Sequence, residues 1–381
     1  MGLGRLRNIF LFGTLLDTGL RDIVLGRGGV PTKACELRGH AVRCVADASY
    51  PTIVEAPGQG APGVCLCGVD DDAVARLDFY EGAFGYTRRE VRVRGPDGDF
   101  HAECYFPPAD QEAPGDKAWD LDGWRAEWAP LSRSAAREAM KYLGLLDAPA
   151  LGRAMPMIRS RAAARLNARN DPAPAGIRST IPASAVSLKH EEVAHIGFFT
   201  TRAYELHHPL LGGGQSPLVR REVFMATDAA IVLPYDPQRD RVLMVEQFRM
   251  GPFGRDDPLP WMLEPVAGRV DPGETPAEAA RRECREEAGL TLNRLERIGG
   301  HYASPGCSTE YFHCFIGICN LEDGAAGLSG GLDGENEDIR CHLLSFDGAM
   351  ALLETGEADN GPLIVSLLWL ARERARLLAS A

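Results

Sequence analysis

Residues 268–290 combine a turn that contains glycine with a short helix rich in carboxylates. Thr275 and Glu278 have the spacing of a capping box, and Pro276 takes the first helical position. Gly289 stands where a left-handed residue typically ends a helix. The spacing therefore predicts a helix that begins at Pro276 and ends just before Gly289.

Three glutamates of this helix share one face. Glu283 and Glu287 are four residues apart, and Glu286 is three from Glu283, so their carboxylates are neighbours. Like charges repel unless a cation lies between them, and hard oxygen ligands suit Mg²⁺, which a few carboxylates and substrate phosphates usually hold. We therefore predict a site for Mg²⁺, with Mn²⁺ as the alternative ion. The competing interpretation is an ordinary solvated, charge-rich helix.

The order of residues in this segment resembles the Nudix box, a loop–helix–loop that binds divalent metal and cleaves diphosphates linked to another group. The matching positions are Gly268, Glu274, Arg282, Glu283, Cys284, Glu286, Glu287, Gly289 and Leu290. Cys284 stands where the family usually has an aliphatic residue, and a small buried thiol behaves as a hydrophobe. The resemblance implies that Glu283, Glu286 and Glu287 bind metal together with the carbonyl of Ala267. Arg282 would orient the carboxylates through a contact with Glu286.

The resemblance extends over most of 190–380 and narrows to the ADP-ribose (ADP-sugar) diphosphatases, whose products here would be AMP and ribose 5-phosphate. The matching segments are 197–199, 219–222, 246–249, 261–264, 303–306 and 335–339. The resemblance places Arg221 and Arg249 at the substrate phosphates or ribose, since guanidinium groups bind phosphate bidentately. Phe198 either stacks on adenine or belongs to the core.

The resemblance also implies a general base in an acidic segment that follows a glycine-rich stretch. Glu335 is the first candidate for the group that deprotonates water, and Glu337 is the second. Without the resemblance, the segment reads as a solvated acidic turn. Glu310 lies in a loop that the family places near the site. Relatives exchange their N-terminal portions between subunits, so we expect a homodimer.

Composition limits the classes of partner and compartment. The formal net charge of the 381 residues is −12, which argues against general nucleic-acid binding. Ten cysteines contain no CxxC pair, which indicates reduced thiols and a cytoplasmic protein. No apolar stretch approaches the length of a spanning helix, and no leader segment is expected, so we predict no membrane association.

The first part of the chain carries two motifs of a different kind. Residues 12–16 read Phe-Gly-Thr-Leu-Leu, and residues 77–82 read Leu-Asp-Phe-Tyr-Glu-Gly. Together they resemble the γ-glutamylcyclotransferase-like (AIG2-like) fold, a small β-barrel with helices. The resemblance implies that backbone amides of Gly13, Thr14 and Leu15 hold a substrate carboxylate and that Glu81 is a general acid/base.

Catalysis by Glu81 would require a carboxyl of raised pKa in a pocket. The segment 51–63 contains three Pro and three Gly and is predicted to be a loop that either shapes or blocks this pocket. We therefore expect weak or no cyclotransferase activity, with the domain retained for binding or dimer support. An exposed Glu81 at a helix end is the competing interpretation.

The sequence thus predicts an α/β (α+β) protein in which a small cyclotransferase-like barrel precedes a Nudix α/β/α sandwich. The expected boundaries are 1–130, a helical and Pro-rich linker at 131–185, and 186–381. The linker carries the arginines at 153, 159, 161, 165 and 169, which we interpret as a solvated basic helix in preference to a docking surface for an acidic partner.

Three functional hypotheses remain after the sequence analysis. The first is hydrolysis of ADP-ribose or a related nucleoside diphosphate sugar, although no residue fixes the sugar or the base. The second is a nucleotide-sensing module with a cyclotransferase-like interaction domain. The third makes the N-terminal domain the principal enzyme, acting on γ-glutamyl amines. The combination of the two domains is similar to Nudix proteins named for tellurite resistance, a label that states no chemistry.

Overall fold

A computed structural model describes residues 6–45, 48–109, 114–325, 329–330 and 338–380. The chain divides into two compact units. The first comprises residues 1–180 with 196–198, and the second comprises 181–195 with 199–381. None of the helices in the described residues combines the length and the hydropathy that crossing a membrane requires.

The first unit contains six strands and five α-helices within its described residues. The strands are β1 (Arg7–Leu11), β2 (Thr32–Val45), β3 (Pro51–Val69), β4 (Thr87–Gly95), β5 (Gly98–Phe106) and β6 (Pro114–Ala118). The helices are α1 (Thr18–Leu25), α2 (Asp71–Gly82), α3 (Leu121–Glu127), α4 (Ala129–Ala139) and α5 (Ala148–Asn170).

Five of these strands close into a barrel in the order β3-β1-β5-β4-β2, and β2 pairs again with β3. Successive side chains of β1 point to opposite faces of the strand and belong to two different cores. Phe10 packs inside the barrel, whereas Ile9 and Leu11 pack against the helices. The predicted small barrel with helices is therefore confirmed.

The prediction of a loop at 51–63 is wrong, because these residues form the first two thirds of β3. The glycines there allow close approach of strands. A Cβ at Gly63 would lie 2.2 Å from the carbonyl oxygen of Leu11 in the neighbouring β1. Gly58 has a φ of 81°, which is a conformation that favours glycine. Glycine in this segment therefore permits barrel packing and does not mark a loop.

The interpretation of the 153–169 arginines as a solvated helix is also wrong in part. Helix α5 packs on α4 and α2, with Leu151 and Ile158 fully buried. Arg161 is only 3% exposed and is paired with the buried Glu138 of α4 at 2.7 Å. Arg165 binds the other oxygen of the same carboxylate at 2.7 Å. Some of the arginines of α5 thus lie inside the unit. The number of charged residues in the segment did not distinguish these arginines from solvated ones.

The second unit contains the remaining elements. The strands are β7 (Ser187–Ile196), β8 (Thr200–His207), β9 (Val219–Met225), β10 (Asp228–Asp236), β11 (Arg241–Phe248), β12 (Trp261–Glu264), β13 (Val266–Arg269), β14 (Arg294–Tyr302), β15 (Tyr311–Ile318), β16 (Ser329–Gly330) and β17 (Ile339–Ser345). The helices are α6 (Met250–Gly254), α7 (Pro276–Ala288), α8 (Phe346–Thr355) and α9 (Gly361–Ala379).

A mixed sheet forms the middle layer of this unit, in the order β14-β15-β10-β11-β17-β16, with β12 paired to β11 and β13 paired to β10. Alternate residues of β10 serve opposite faces. Val232 packs towards α7, and Leu233 packs towards α9. The buried Cys284 of α7 belongs to the first of these cores. The predicted α/β/α sandwich is therefore confirmed, and β7, β8 and β9 form a separate three-stranded sheet.

Candidate functional site

Helix α7 has the ends that the sequence predicts. The backbone N–H of Thr275 donates to Glu278 at 2.8 Å, and the backbone N–H of Glu278 donates to the Thr275 hydroxyl at 3.3 Å. Gly289 ends the helix with a φ of 62°. The capping box and the left-handed cap therefore fix where the carboxylates of this helix lie relative to β13.

Two of these carboxylates pack over β13. The Glu287 side chain is 3% exposed and accepts a hydrogen bond from the backbone N–H of Ala267 at 3.3 Å. A Cβ at Gly268 would lie 1.8 Å from a carboxylate oxygen of Glu283. A side chain at 268 would displace the Glu283 carboxylate, which occupies that space. Glu287 and Glu283 therefore lie beside two consecutive residues of β13, Ala267 and Gly268.

Arg282 joins the acidic groups of this segment. Its guanidinium donates to both oxygens of Glu274 at 3.0 Å, to Glu283 at 2.7 Å and to Glu286 at 2.9 Å. It also donates to the carbonyl of Arg269 at 3.0 Å. The hydrogen bond to Glu274, followed by the negative charge of Glu283 and the hydrogen bonds to Glu283 and Glu286, raises the pKa of Arg282 above its ordinary value. The predicted contact between Arg282 and Glu286 is present.

Glu274 is the residue of this cluster to which the sequence analysis gave no role. It lies immediately before the N-cap residue, Thr275, and both of its oxygens accept from Arg282. The sequence offered one signal for this contact. Glu274 lies beside the first turn of the helix that carries Arg282, and a guanidinium group has five N–H donors that need several acceptors.

The donor set of this cluster suits a hard divalent cation. The carboxylates of Glu283, Glu286 and Glu287 are oxygen ligands of the kind that Mg²⁺ prefers, and the Ala267 carbonyl remains the predicted fourth donor. In the described residues, three or more acidic, His or Cys side chains do not converge on one point as a complete metal cage would. Instead, Arg282 bonds to two of the carboxylates. Metal binding here would draw on an incomplete protein shell, which is usual for Mg²⁺ sites that share ligands with a substrate.

Arg249 and Glu310 lie in one neighbourhood. Glu264 of β12 binds the Arg249 guanidinium at 2.6 and 2.8 Å. Burial raises the pKa of Glu310, and the positive charge of Arg249 opposes this shift. The Arg249 side chain is 38% exposed.

The other predicted substrate contacts are on the surface. Phe198 is 66% exposed, which contradicts the alternative that it belongs to the core. Phe199 is 48% exposed, and its ring lies 4.8 Å from that of Phe224. The exposed Arg221 donates to the carbonyl of Arg220 at 2.8 Å. The structure does not bring Arg221 into contact with the α7 carboxylates in the described residues.

Glu335 and Glu337, the two candidates for the general base, lie outside the described residues. Their roles stay predictions.

The first unit contains a cavity of about 90 Å³. Gly13, Thr14 and Leu15 line it together with Glu81, so the four residues predicted for this domain meet at one place. Pro51 also contributes to the lining. The start of β3 therefore shapes the cavity and leaves it open.

Glu81 differs from the acidic residue one turn before it. Asp78 is bound by Arg88 at 3.0 Å and by the hydroxyl of Tyr105 at 2.6 Å. No hydrogen-bond or ion-pair partner of the Glu81 side chain is found among the described residues. Burial raises the pKa of Glu81 to about 7. The cavity thus holds a carboxyl that can gain or lose a proton near neutral pH.

Comparison with known families assigns the N-terminal barrel. A family described as "Gamma-glutamyl cyclotransferase, AIG2-like" matches residues 9–126. The match includes the barrel, Glu81 and the segment around Gly13, and it ends before α4 and α5. The resemblance inferred from the two motifs is therefore confirmed.

The second family match and the curated relatives concern the C-terminal half. The NUDIX domain family matches residues 225–367. An ADP-ribose pyrophosphatase of Escherichia coli (strain K12) is 38% identical over 52% of this chain and 93% of the relative. An ADP-ribose pyrophosphatase of Haemophilus influenzae is 36% identical over 51% of this chain and 90% of the relative. A GDP-mannose pyrophosphatase of Escherichia coli O139:H28 is 30% identical over 40% and 77%, respectively. The acidic helix, the sandwich that carries it and these relatives together place the chain in the Nudix family.

Proposed function

We propose that the C-terminal half of this chain is a Nudix diphosphatase that hydrolyses ADP-ribose, or a related ADP-sugar, to AMP and ribose 5-phosphate. The observation that carries the proposal is the packing of the Glu283 and Glu287 carboxylates beside Ala267 and Gly268. The names of the 38% and 36% identical relatives support ADP-ribose as the substrate. A GDP-mannose pyrophosphatase among the relatives makes another nucleoside diphosphate sugar the alternative.

Glu283, Glu286, Glu287 and the Ala267 carbonyl would hold Mg²⁺, with Mn²⁺ as the alternative ion. The bound metal would neutralise the diphosphate and lower the pKa of the attacking water. Arg282 positions the carboxylates, since it bonds to Glu283, Glu286 and Glu274 at once. These fixed groups need little reorganisation as charge develops on the phosphorus oxygens.

The substrate contacts proposed are Phe198, Arg221, Arg249 and Glu310. The exposed ring of Phe198 offers a face for adenine. Glu264 holds Arg249 in place, and the partly exposed Arg249 side chain is the proposed contact for a phosphate. Glu335 is the proposed general base, with Glu337 second. A purely nucleotide-sensing protein would have no need to bury Glu287 among like charges, so we favour the enzyme over the binding module.

Assembly and location are further parts of the proposal. We propose a homodimer, as the resemblance implies. We also propose a cytoplasmic location, because all ten cysteines are free and reduced thiols are typical of that compartment. Neither nucleic acid nor membrane is a proposed partner.

Replacing Glu287 by Gln should lower kcat for ADP-ribose by at least about 100-fold. Removing even a residue that contacts a metal ligand lowers metal affinity or activity by about 10- to 100-fold. Initial rates at saturating Mg²⁺ and a thermal melt would be measured beside Glu354→Gln, an exposed control in α8. If Glu287→Gln kept more than about half of its activity, Glu287 would not be a metal ligand.

Glu335→Gln should reduce kcat more than KM, because a general base acts only in the transition state. Glu337→Gln and Glu310→Gln, measured under the same conditions, test the other nearby carboxylates. A larger kcat loss in Glu337→Gln would assign the base to that residue, and a larger loss in Glu310→Gln would assign it to the half-buried carboxyl near Arg249.

Phe198→Ala should raise KM for ADP-ribose about tenfold with little change in kcat, since base stacking contributes about 1–3 kcal/mol and acts on ground and transition states alike. Phe199→Ala is the matched control, because its ring contacts Phe224 and its loss should reduce stability instead. Equal KM values for Phe198→Ala and the unmodified protein would remove Phe198 from the adenine site.

The cavity of the first unit supports a second function, γ-glutamylcyclotransferase activity. The requirement for that reaction is a carboxyl of raised pKa in a pocket, and Glu81 meets it. The expectation of weak or absent activity rested partly on a blocking loop at 51–63, which forms a strand instead. Glu81 in its ionised form would take the proton from the amine and return it to the leaving group.

Release of 5-oxoproline from γ-glutamyl dipeptides should therefore rise as the pH increases through about 7, where Glu81 becomes ionised. Glu81→Gln should abolish the release, whereas Glu127→Gln, an exposed control in α3, should not. No detectable 5-oxoproline from the folded, unmodified protein between about pH 6 and 9 would contradict this second function.

A further inference from the structure

The cavity of the first unit contains a positive charge as well as the Glu81 carboxyl. Arg159 of α5 lines it, and the guanidinium donates to the hydroxyl of Ser49, another lining residue, at 3.1 Å. Its central carbon lies 6.0 Å from the centre of the Trp128 ring. Arg159 is outside the 9–126 segment that matches the cyclotransferase family, so that match does not account for it.

The packing of α5 fixes Arg159 at this place. Gly152 lets the helix approach the end of α2, since a Cβ there would lie 2.3 Å from the carbonyl oxygen of Ala83. Arg159 is seven residues later, on the same helical face as Gly152, and Glu81 is two residues before Ala83. The cation therefore reaches the cavity from a helix that is anchored beside Glu81.

Arg159 lacks the carboxylate that several other internal arginines of this unit have. Arg161 and Arg165 share Glu138, and Arg88 is bound by Asp78. In the described part of the chain, no acidic group forms an ion pair with Arg159. Burial lowers the pKa of Arg159 from its ordinary value, which is the effect of desolvation without a compensating anion.

A partly buried guanidinium without a counter-charge is costly, because the charge loses part of its water and gains no ion pair. A ligand that brings an anion into the cavity would replace that missing partner. A carboxylate can accept two parallel hydrogen bonds from one guanidinium. The aromatic lining residues Tyr50, Tyr80 and Phe84 favour an apolar body on the same molecule.

We propose that Arg159 is a further specificity-determining residue of this cavity and that its guanidinium supplies a positive charge that recognises the carboxylate of the ligand. The inference rests on the ligand that the second proposed function gives this cavity. It concerns binding at equilibrium, so it is tested separately from catalysis by Glu81.

The test uses the full chain, with binding followed by isothermal titration calorimetry and by NMR chemical shifts near Tyr80. The probes are acetate, butyrate and 5-oxoproline, each compared with its neutral primary amide, together with inorganic phosphate. At least one carboxylate should bind at least about tenfold more tightly than its amide. Arg159→Gln should remove that preference without weakening the amide, and Arg159→Lys should restore part of it.

Arg153→Gln is the matched control, since Arg153 is an exposed arginine on the same helix, and its binding should equal that of the unmodified protein. A thermal melt establishes that each variant is folded. The proposal is overturned if no carboxylate binds, if carboxylates and amides bind equally, or if folded Arg159→Gln retains the preference. Tighter binding of phosphate than of every carboxylate would overturn the assigned ligand class. If the unmodified protein binds a carboxylate but releases no 5-oxoproline, only the second function is contradicted.

Discussion

Electrostatic repulsion among neighbouring carboxylates is the constraint on which the C-terminal site depends. Glu283, Glu286 and Glu287 stand on one helix, and Glu274 approaches its first turn, so the fold must supply positive charge or lose stability. Arg282 supplies it through hydrogen bonds to three of these four groups. The arrangement keeps the acidic residues oriented without neutralising all of them, and the remaining charge is what a divalent cation would use.

The same constraint governs the first unit, with a different outcome. Several of its internal arginines are balanced by acidic groups such as Glu138, which accepts from Arg161 and Arg165. Pairs of this kind offset the cost of desolvation with hydrogen bonds and add little net stability, but removing one partner would leave a buried charge uncompensated. The residues that line the cavity differ in this respect. Among the described residues, neither Glu81 nor Arg159 has an ionic partner, and this is the feature on which the proposed ligand binding rests.

The sequence predicted α7 well because its capping residues and its motif act within a few positions of one another. The sandwich and the barrel were predicted through the family resemblances that short motifs carry. It failed where tertiary contact decided the outcome. Glycines at 58 and 63 were interpreted as loop residues, although Gly63 permits contact between strands. The burial of Arg161 could not be predicted, since its partner is 23 residues away in the chain. Glu335 and Glu337 lie outside the described residues, so their prediction rests on resemblance alone.

Helix α5 also contributes to the cavity of the first unit, although it lies outside the segment that the family match covers. The family match ends at residue 126, yet Arg159 lies in the wall of the cavity. The ion pairs of Arg161 and Arg165 with Glu138 hold the part of α5 that carries Arg159. A protein shortened to the matched segment would lose this cation. The charge of the molecule that the cavity accepts would then depend on residues outside the segment that the family match covers.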